Sequence, residues 1–335
     1  MQAAIYGLSG LEITPGERAF FRDADAAGYI LFKRNCVDQA QLLRLTDALR
    51  DLSGRDQLPI LIDQEGGRVA RMQPPEWPAF PPADVFARLY QAAPSSAIEA
   101  ARSNARAIAL TLRSAGINVN CLPLLDVRQE GASDIIGDRA LGSEPMQVAA
   151  LGRAVLDGMA SAGVVGVIKH IPGHGRALAD SHKELPVVTA TAEEMESDLE
   201  PFERLRAAPM GMTAHVVYTA WDTERPASLS PTVIKDIIRG RIGFEGWLMS
   251  DDLGMEALTG DFGTRAAGVV AAGCDVALHC SGKMDEMAAV AAAVPAMSAD
   301  GEARLARAMA TVLVEDDGAD FAEAVAKRDA LLALV

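Results

Sequence analysis

No run of about 18 apolar residues occurs anywhere in the chain, so no membrane-spanning helix is expected. Positive charge is also short: the net charge is -15. A field of that sign repels phosphate backbones and anionic lipid, so neither nucleic acid nor a membrane is expected as a partner. A neutral or weakly anionic ligand in a locally basic pocket remains compatible with it. Aromatic residues make up only 5% of the chain, and Ala, Val, Leu and Gly dominate the apolar half. That composition favours helices packed on a sheet over a β-sandwich. The four cysteines, Cys36, Cys121, Cys274 and Cys280, form no C-x-x-C pair. A zinc ribbon and a thioredoxin-like motif are thereby excluded, and buried free thiols in a reducing compartment are expected. The first residues carry neither a basic segment nor a long apolar one, and Glu12 interrupts early. A cytoplasmic protein is the expectation.

What the 335 residues do contain is rhythm. Eight short apolar runs stand at 3–8, 29–32, 60–62, 119–125, 164–168, 210–217, 247–249 and 276–278. Between them lie segments with helical spacing, at 14–27, 38–52, 95–115, 145–162, 192–207, 231–241 and 264–272. Thr14-Pro15 and Ser230-Pro231 are cap-plus-proline starts. Eight strand–helix units predict a parallel α/β architecture, a (β/α)8 TIM-type barrel formed as a single domain over 1–335. A doubly wound sheet would need fewer strands and usually a phosphate-binding turn. Gly7-Leu8-Ser9-Gly10 is not G-x-G-x-x-G, so no dinucleotide site is indicated. The proline-rich stretch 74–82 reads as an ordered loop, and the tail after Cys280 as helices packing across the barrel.

A barrel places its chemistry at the C-terminal ends of different strands. Here the third run ends Asp63-Gln64-Glu65-Gly66-Gly67-Arg68, and the fourth ends at Asp126. The fifth ends Lys169-His170, the sixth carries His215, and the seventh ends Ser250-Asp251-Asp252. Residues 169–182 hold three of the five histidines. The strand before them is expected to stop at Ile168, because Pro172, Gly173 and Gly175 break regular structure. Lys169 is too costly to bury without a carboxylate or a ligand partner. Of Asp251 and Asp252, alternation along a strand points only one into the barrel mouth. His279 reads as structural, and His215 as orienting a neighbour. A loop could gather His170, His174, His182 and an Asp around zinc.

These residues carry a resemblance. Asp63-Gln64-Glu65-Gly66-Gly67-Arg68-Val69, Lys169-His170-Ile171-Pro172-Gly173-His174-Gly175, Asp180-Ser181-His182 and Ser250-Asp251-Asp252-Leu253-Gly254-Met255 follow one another in the order found in glycoside hydrolase family 3. More narrowly, the chain resembles that family's single-domain bacterial β-N-acetylglucosaminidases of the NagZ type. The resemblance implies a retaining barrel glycosidase that removes terminal GlcNAc from cell-wall fragments and works without cofactor or metal. It implies that Asp251 is the nucleophile, His182 the general acid/base and Asp180 the partner of His182. Asp63, Arg71, Arg139, Lys169 and His170 would hold the sugar. A small amino-sugar or muropeptide would be the ligand, and a monomer is expected. Three alternatives stay open: a family 3 β-glucosidase or xylosidase, a zinc-dependent barrel hydrolase, and a sugar-binding barrel without catalysis.

Overall fold

A computed structural model describes residues 1–181, 183–312 and 320–334. Among the described residues, ten strands run in chain order: β1 (Gln2–Gly7), β2 (Ala26–Leu31), β3 (Ile60–Ile62), β4 (Val119–Asn120), β5 (Val165–Ile171), β6 (Val187–Val188), β7 (Met210–Thr213), β8 (Val217–Tyr218), β9 (Trp247–Asp252) and β10 (Val276–His279). Eight of them close a barrel in the order β1-β10-β9-β7-β5-β4-β3-β2. Each neighbouring pair in it is parallel. The short pair β6–β8 lies outside it. Barrel strands are covered on both faces, so they read as unbroken apolar runs rather than as alternation.

Local chemistry sets the element ends. Helix Pro15–Ala24 begins with a capping box in which Thr14 accepts from the Glu17 N–H and Glu17 accepts from the Thr14 N–H. It stops at Asp25, whose backbone is left-handed at φ 45°. The chain then enters β2 at Ala26, three residues before the apolar run that marked it. β5 departs from expectation in the other direction. It continues through Lys169 and His170 to Ile171, which pairs with Thr213. The polar side chains stay in the strand because carboxylates just after β3 and from the segment that follows β4 pair with them.

The tail only partly fulfils its expected course. Helix Met284–Ala293 packs beside helix Phe262–Ala272, and helix Ala299–Met309 reaches the start of β9. Helix Phe321–Leu332 instead packs outside, on helix Pro94–Ser114, where Arg328 Nη1 donates to Asn104 Oδ1 at 3.1 Å. At the N-terminal end of the barrel, Asp275 accepts from Arg239 Nη2 at 2.9 Å and from Arg304 Nη1 at 2.8 Å. The Leu248 N–H also donates to it at 2.9 Å. This clamp joins β9, β10 and two helices. Among the described residues, no helix is long and apolar enough to cross a membrane.

Candidate active site

The C-terminal ends of the strands surround a cavity of about 350 Å3. Its floor is an ionic chain. Lys169, only 2% exposed, places Nζ 3.0 Å from Asp63 Oδ1 and 2.7 Å from Glu65 Oε1. Arg71 Nη2 donates to Asp63 Oδ2 at 3.0 Å. Arg139 grips Glu65 with two hydrogen bonds of 2.8 Å. Three cations thus face two anions, an arrangement with donors to spare for sugar oxygens. Burial opposes ionisation of Asp63 and Glu65. The charges of Lys169 and Arg71 on the first, and of Lys169 and Arg139 on the second, outweigh it and hold both carboxyls below their ordinary values. Burial likewise opposes the Lys169 charge, and Glu65 and Asp63 more than restore it. The expectation that Lys169 needs a carboxylate is met twice over.

Facing this floor is Asp251, buried near the end of β9. Its Oδ1 accepts from the Asp252 N–H at 2.8 Å. Burial raises its pKa, but the imidazoles of His170 and His215, the Asp252 N–H and Lys169 together bring it below the usual value. The group is a carboxylate at neutral pH, held on a rigid strand. His215 fixes that strand end. Its Nε2–H donates to the Asp252 carbonyl at 3.0 Å while Nδ1 accepts from the Ser228 hydroxyl at 2.7 Å. A carbonyl can only accept, so this pairing sets the tautomer. On the other side, His170 Nδ1 lies 2.8 Å from Asp126 Oδ2. Asp126 Oδ1 accepts from the His174 N–H at 2.7 Å.

Every sequence-predicted site residue among those described borders the cavity: Asp63, Arg71, Arg139, Lys169, His170, Asp180 and Asp251. His182 lies outside the described residues. The segment leading toward it is rooted firmly. Gly175 packs so tightly on Val127 that a Cβ there would stand 1.9 Å from the Val127 carbonyl oxygen. Arg176 Nε donates to Asp198 Oδ2 at 2.7 Å. Beyond it, Leu178 is 75% exposed.

Alternation misled at one point. Asp252 was expected to face away from the mouth if Asp251 faced in, yet both border the cavity. The strand is ending there, and Asp252 Oδ1 turns to accept from the Gly254 N–H at 2.9 Å. Burial raises the Asp252 pKa and the nearby Asp251 charge adds to it. Sequence reasoning saw Glu65 and Asp126 at strand ends and His174 as a possible zinc ligand, but named none of the three among the residues that act on or hold the sugar. Glu65 lies two positions after Asp63, and Asp126 ends the fourth apolar run; those were the available signals. His279 is structural, buried beside Glu286 at 3.2 Å. Burial keeps the Cys121 and Cys280 thiols protonated, and all four cysteines are free. Among the described residues, no group of three or more His, Cys, Asp or Glu side chains is arranged to hold a metal ion.

The buried titrating groups make stability depend on pH. In the folded protein Asp126 titrates at about 2: burial raises its pKa, and His170 more than offsets that. Burial, reinforced by His170, pushes His174 down to about 4. In both cases the unfolded chain binds protons first as pH falls, so stability is lost on acidification. The His174 contribution disappears between its ordinary 6.5 and about 4. The carboxylate contributions go below the unfolded values of about 4. Urea midpoints measured from pH 7 to pH 3 should fall throughout; a midpoint that rises on acidification would contradict these assignments.

A closed parallel barrel with a carboxylate on one strand end, facing a pre-formed polar floor on two others, defines a pocket enzyme whose ligand is rich in hydroxyl-type oxygens. The family model described as "Glycosyl hydrolase family 3 N terminal domain" matches residues 7–314. A β-hexosaminidase of Bordetella avium (strain 197N) is 37% identical over 279 residues, covering 82% of this chain and 79% of that protein. One of Alkalilimnicola ehrlichii is 40% identical over 280 residues, with 82% and 79% covered. The crystal structure of NagZ from Neisseria gonorrhoeae in complex with N-trifluoroacetyl-D-glucosamine superposes with a TM-score of 0.87 at 32% identity, covering 99% of this chain and 98% of that one. The chain belongs to glycosyl hydrolase family 3 and is an enzyme of the β-hexosaminidase type.

Proposed function

We propose that the whole chain, 1–335, is one catalytic barrel that works as a retaining exo-β-N-acetylglucosaminidase. It releases terminal GlcNAc from peptidoglycan fragments, GlcNAc-anhydroMurNAc peptides, in cell-wall recycling in the cytoplasm. The observation that carries this reading is the ionised Asp251 facing the Asp63–Lys169–Glu65 floor across one cavity. In the proposed mechanism the floor, with Arg71, Arg139 and His170, binds the hydroxyls and N-acetyl group of one sugar. Asp251 attacks the anomeric carbon and forms a glycosyl ester. His182 protonates the departing oxygen, then takes a proton from the water that hydrolyses the ester, so configuration is retained. The resemblance of Asp180-Ser181-His182 to the family motif supplies these last roles, with Asp180 orienting the imidazole.

The direct test is hydrolysis of an aryl β-N-acetylglucosaminide, followed by trapping with a slow fluorinated analogue. The peptide containing Asp251 should gain the mass of one sugar. A label on another residue, or turnover of glucosides or xylosides alone, would reject the reading.

The roles of His182 and Asp180 are separable by leaving group. His182→Ala should lose far more activity on a natural disaccharide than on an activated aryl glycoside, because a good leaving group needs little protonation. Asp180→Asn should behave alike, since the two would act as a unit. Equal losses on both substrates would mean that neither residue delivers the proton.

A further inference from the structure

The chain leaves the cavity at His174 and returns to it at Asp180 and Ser181; all three border it. Main-chain bonds hold the far part of this segment. The Ser133 N–H donates to the Ala177 carbonyl at 3.0 Å, and the Ala257 N–H to the Ser181 carbonyl at 3.2 Å. At its root the grip is a side chain. Arg176 Nε donates to Asp198 Oδ2 at 2.7 Å, and Nη2 donates to the Glu194 carbonyl at 2.9 Å and to the Ser197 hydroxyl at 3.1 Å. Asp198 stands in the first turn of helix Glu196–Arg204, packed on Gly173 so closely that a Cβ there would lie 3.1 Å from the Asp198 Cβ. Neither Arg176 nor Asp198 borders the cavity.

Stability is a poor reason for this pair. Asp198 is wholly buried, and among the described residues its Oδ1 has no hydrogen-bond partner. A buried carboxylate with one oxygen unsatisfied costs free energy that an apolar contact would avoid. Burial, the larger influence, pushes the Asp198 pKa up, and Arg176 pulls against it. What the pair supplies is direction. A guanidinium bonded through Nε and Nη2 is a planar fork, and it fixes the backbone that carries it as a flexible ammonium would not.

We infer that Arg176, seated on Asp198, is a positioning residue for proton delivery: it sets the course of the chain from Gly175 toward Asp180 and His182. This rests on the glycosidase reading above and adds to it a pair of residues that touch neither the sugar nor its leaving group. The floor binds without them; the transfer of the proton depends on them.

The test compares kcat/KM, which reports formation of the glycosyl-enzyme, on a β-linked GlcNAc disaccharide and on an activated aryl β-N-acetylglucosaminide. The first needs its leaving group protonated and the second does not. Arg176→Gln should cost the disaccharide about tenfold more than the aryl glycoside, while inhibition by free GlcNAc stays within about twofold because the floor is untouched. Asp198→Ala keeps the Cβ against Gly173 and should show the same split. The double variant should be no worse than either single one; additive losses would overturn the pairing. Arg176→Lys keeps the charge but not the fork, and should retain most of the defect. Where Arg176→Gln does not fold, Arg176→Lys and Asp198→Ala decide. His182→Ala is the reference. If it shows the leaving-group split while the Arg176 and Asp198 variants lose equally on both substrates, or lose nothing, the inference falls and the glycosidase reading stands. If His182→Ala shows no split, the assignment of the acid falls and the inference with it.

Discussion

Asp251→Asn is expected to lower kcat by on the order of 10^4-fold or more while the protein folds and melts as before. The substitution is nearly isosteric, and the amide oxygen can still accept from the Asp252 N–H that now binds Oδ1. What disappears is the charge and the second oxygen, the atom free to attack. Burial would make that charge costly, yet His170, His215 and Lys169 favour it enough to keep the group ionised. Asp252→Asn is the matched control. Asp252 borders the same cavity but spends Oδ1 on the Gly254 N–H, and its loss should be much smaller. Steady-state kinetics of both variants decide the matter: Asp251→Asn within tenfold of the intact protein would show that Asp251 is not the nucleophile.

Lys169→Met is the substitution expected to cost most in stability. Its ammonium lies between two buried carboxylates, 3.0 Å from Asp63 and 2.7 Å from Glu65. Removing one partner of a buried ion pair strands the other, at a typical cost of about 3–5 kcal/mol. Here two anions would repel each other across the gap, with Arg71 and Arg139 left to hold one each. The unfolding free energy should fall by that amount, seen as a lower urea midpoint with little change in slope, and kcat/KM should fall with it. Adding Glu65→Gln should recover part of the stability, because one stranded charge is gone. A double variant no more stable than Lys169→Met would mean that the cost lies in packing rather than charge.

The barrel was legible because its strands are buried on both faces and separated by helical spacing. Their ends were less so. The fourth run, 119–125, pairs as a strand only over Val119–Asn120, and the sixth, 210–217, divides at Thr213 and resumes outside the barrel at Val217–Tyr218. Apolar content alone does not distinguish a strand from a buried loop that follows it. Helix Ala83–Ala92, which comes directly after the proline-rich stretch, went unread for a related reason: those prolines drew the whole segment toward a loop.

In the site, the titratable groups at strand ends were visible, and so was the need of Lys169 for a partner. Which carboxylates answer that need was not, because Asp63 and Glu65 lie more than a hundred residues away and only barrel closure brings them together. The pairing of Asp126 was hidden for the same reason: its partner His170 stands on the next strand. The facing of Asp252 depended on where β9 stops pleating, which no alternation rule supplies.

The Asp275 clamp lies at the opposite end of the barrel from Asp251, on the same two strands. One source of resistance to heat is therefore lodged at the pole opposite the pocket, in addition to the ionic floor of the pocket itself. Substitutions that tighten Arg239 or Arg304 on Asp275 can harden the protein without reshaping the pocket, and lineages living at different temperatures could adjust one pole while leaving the other alone.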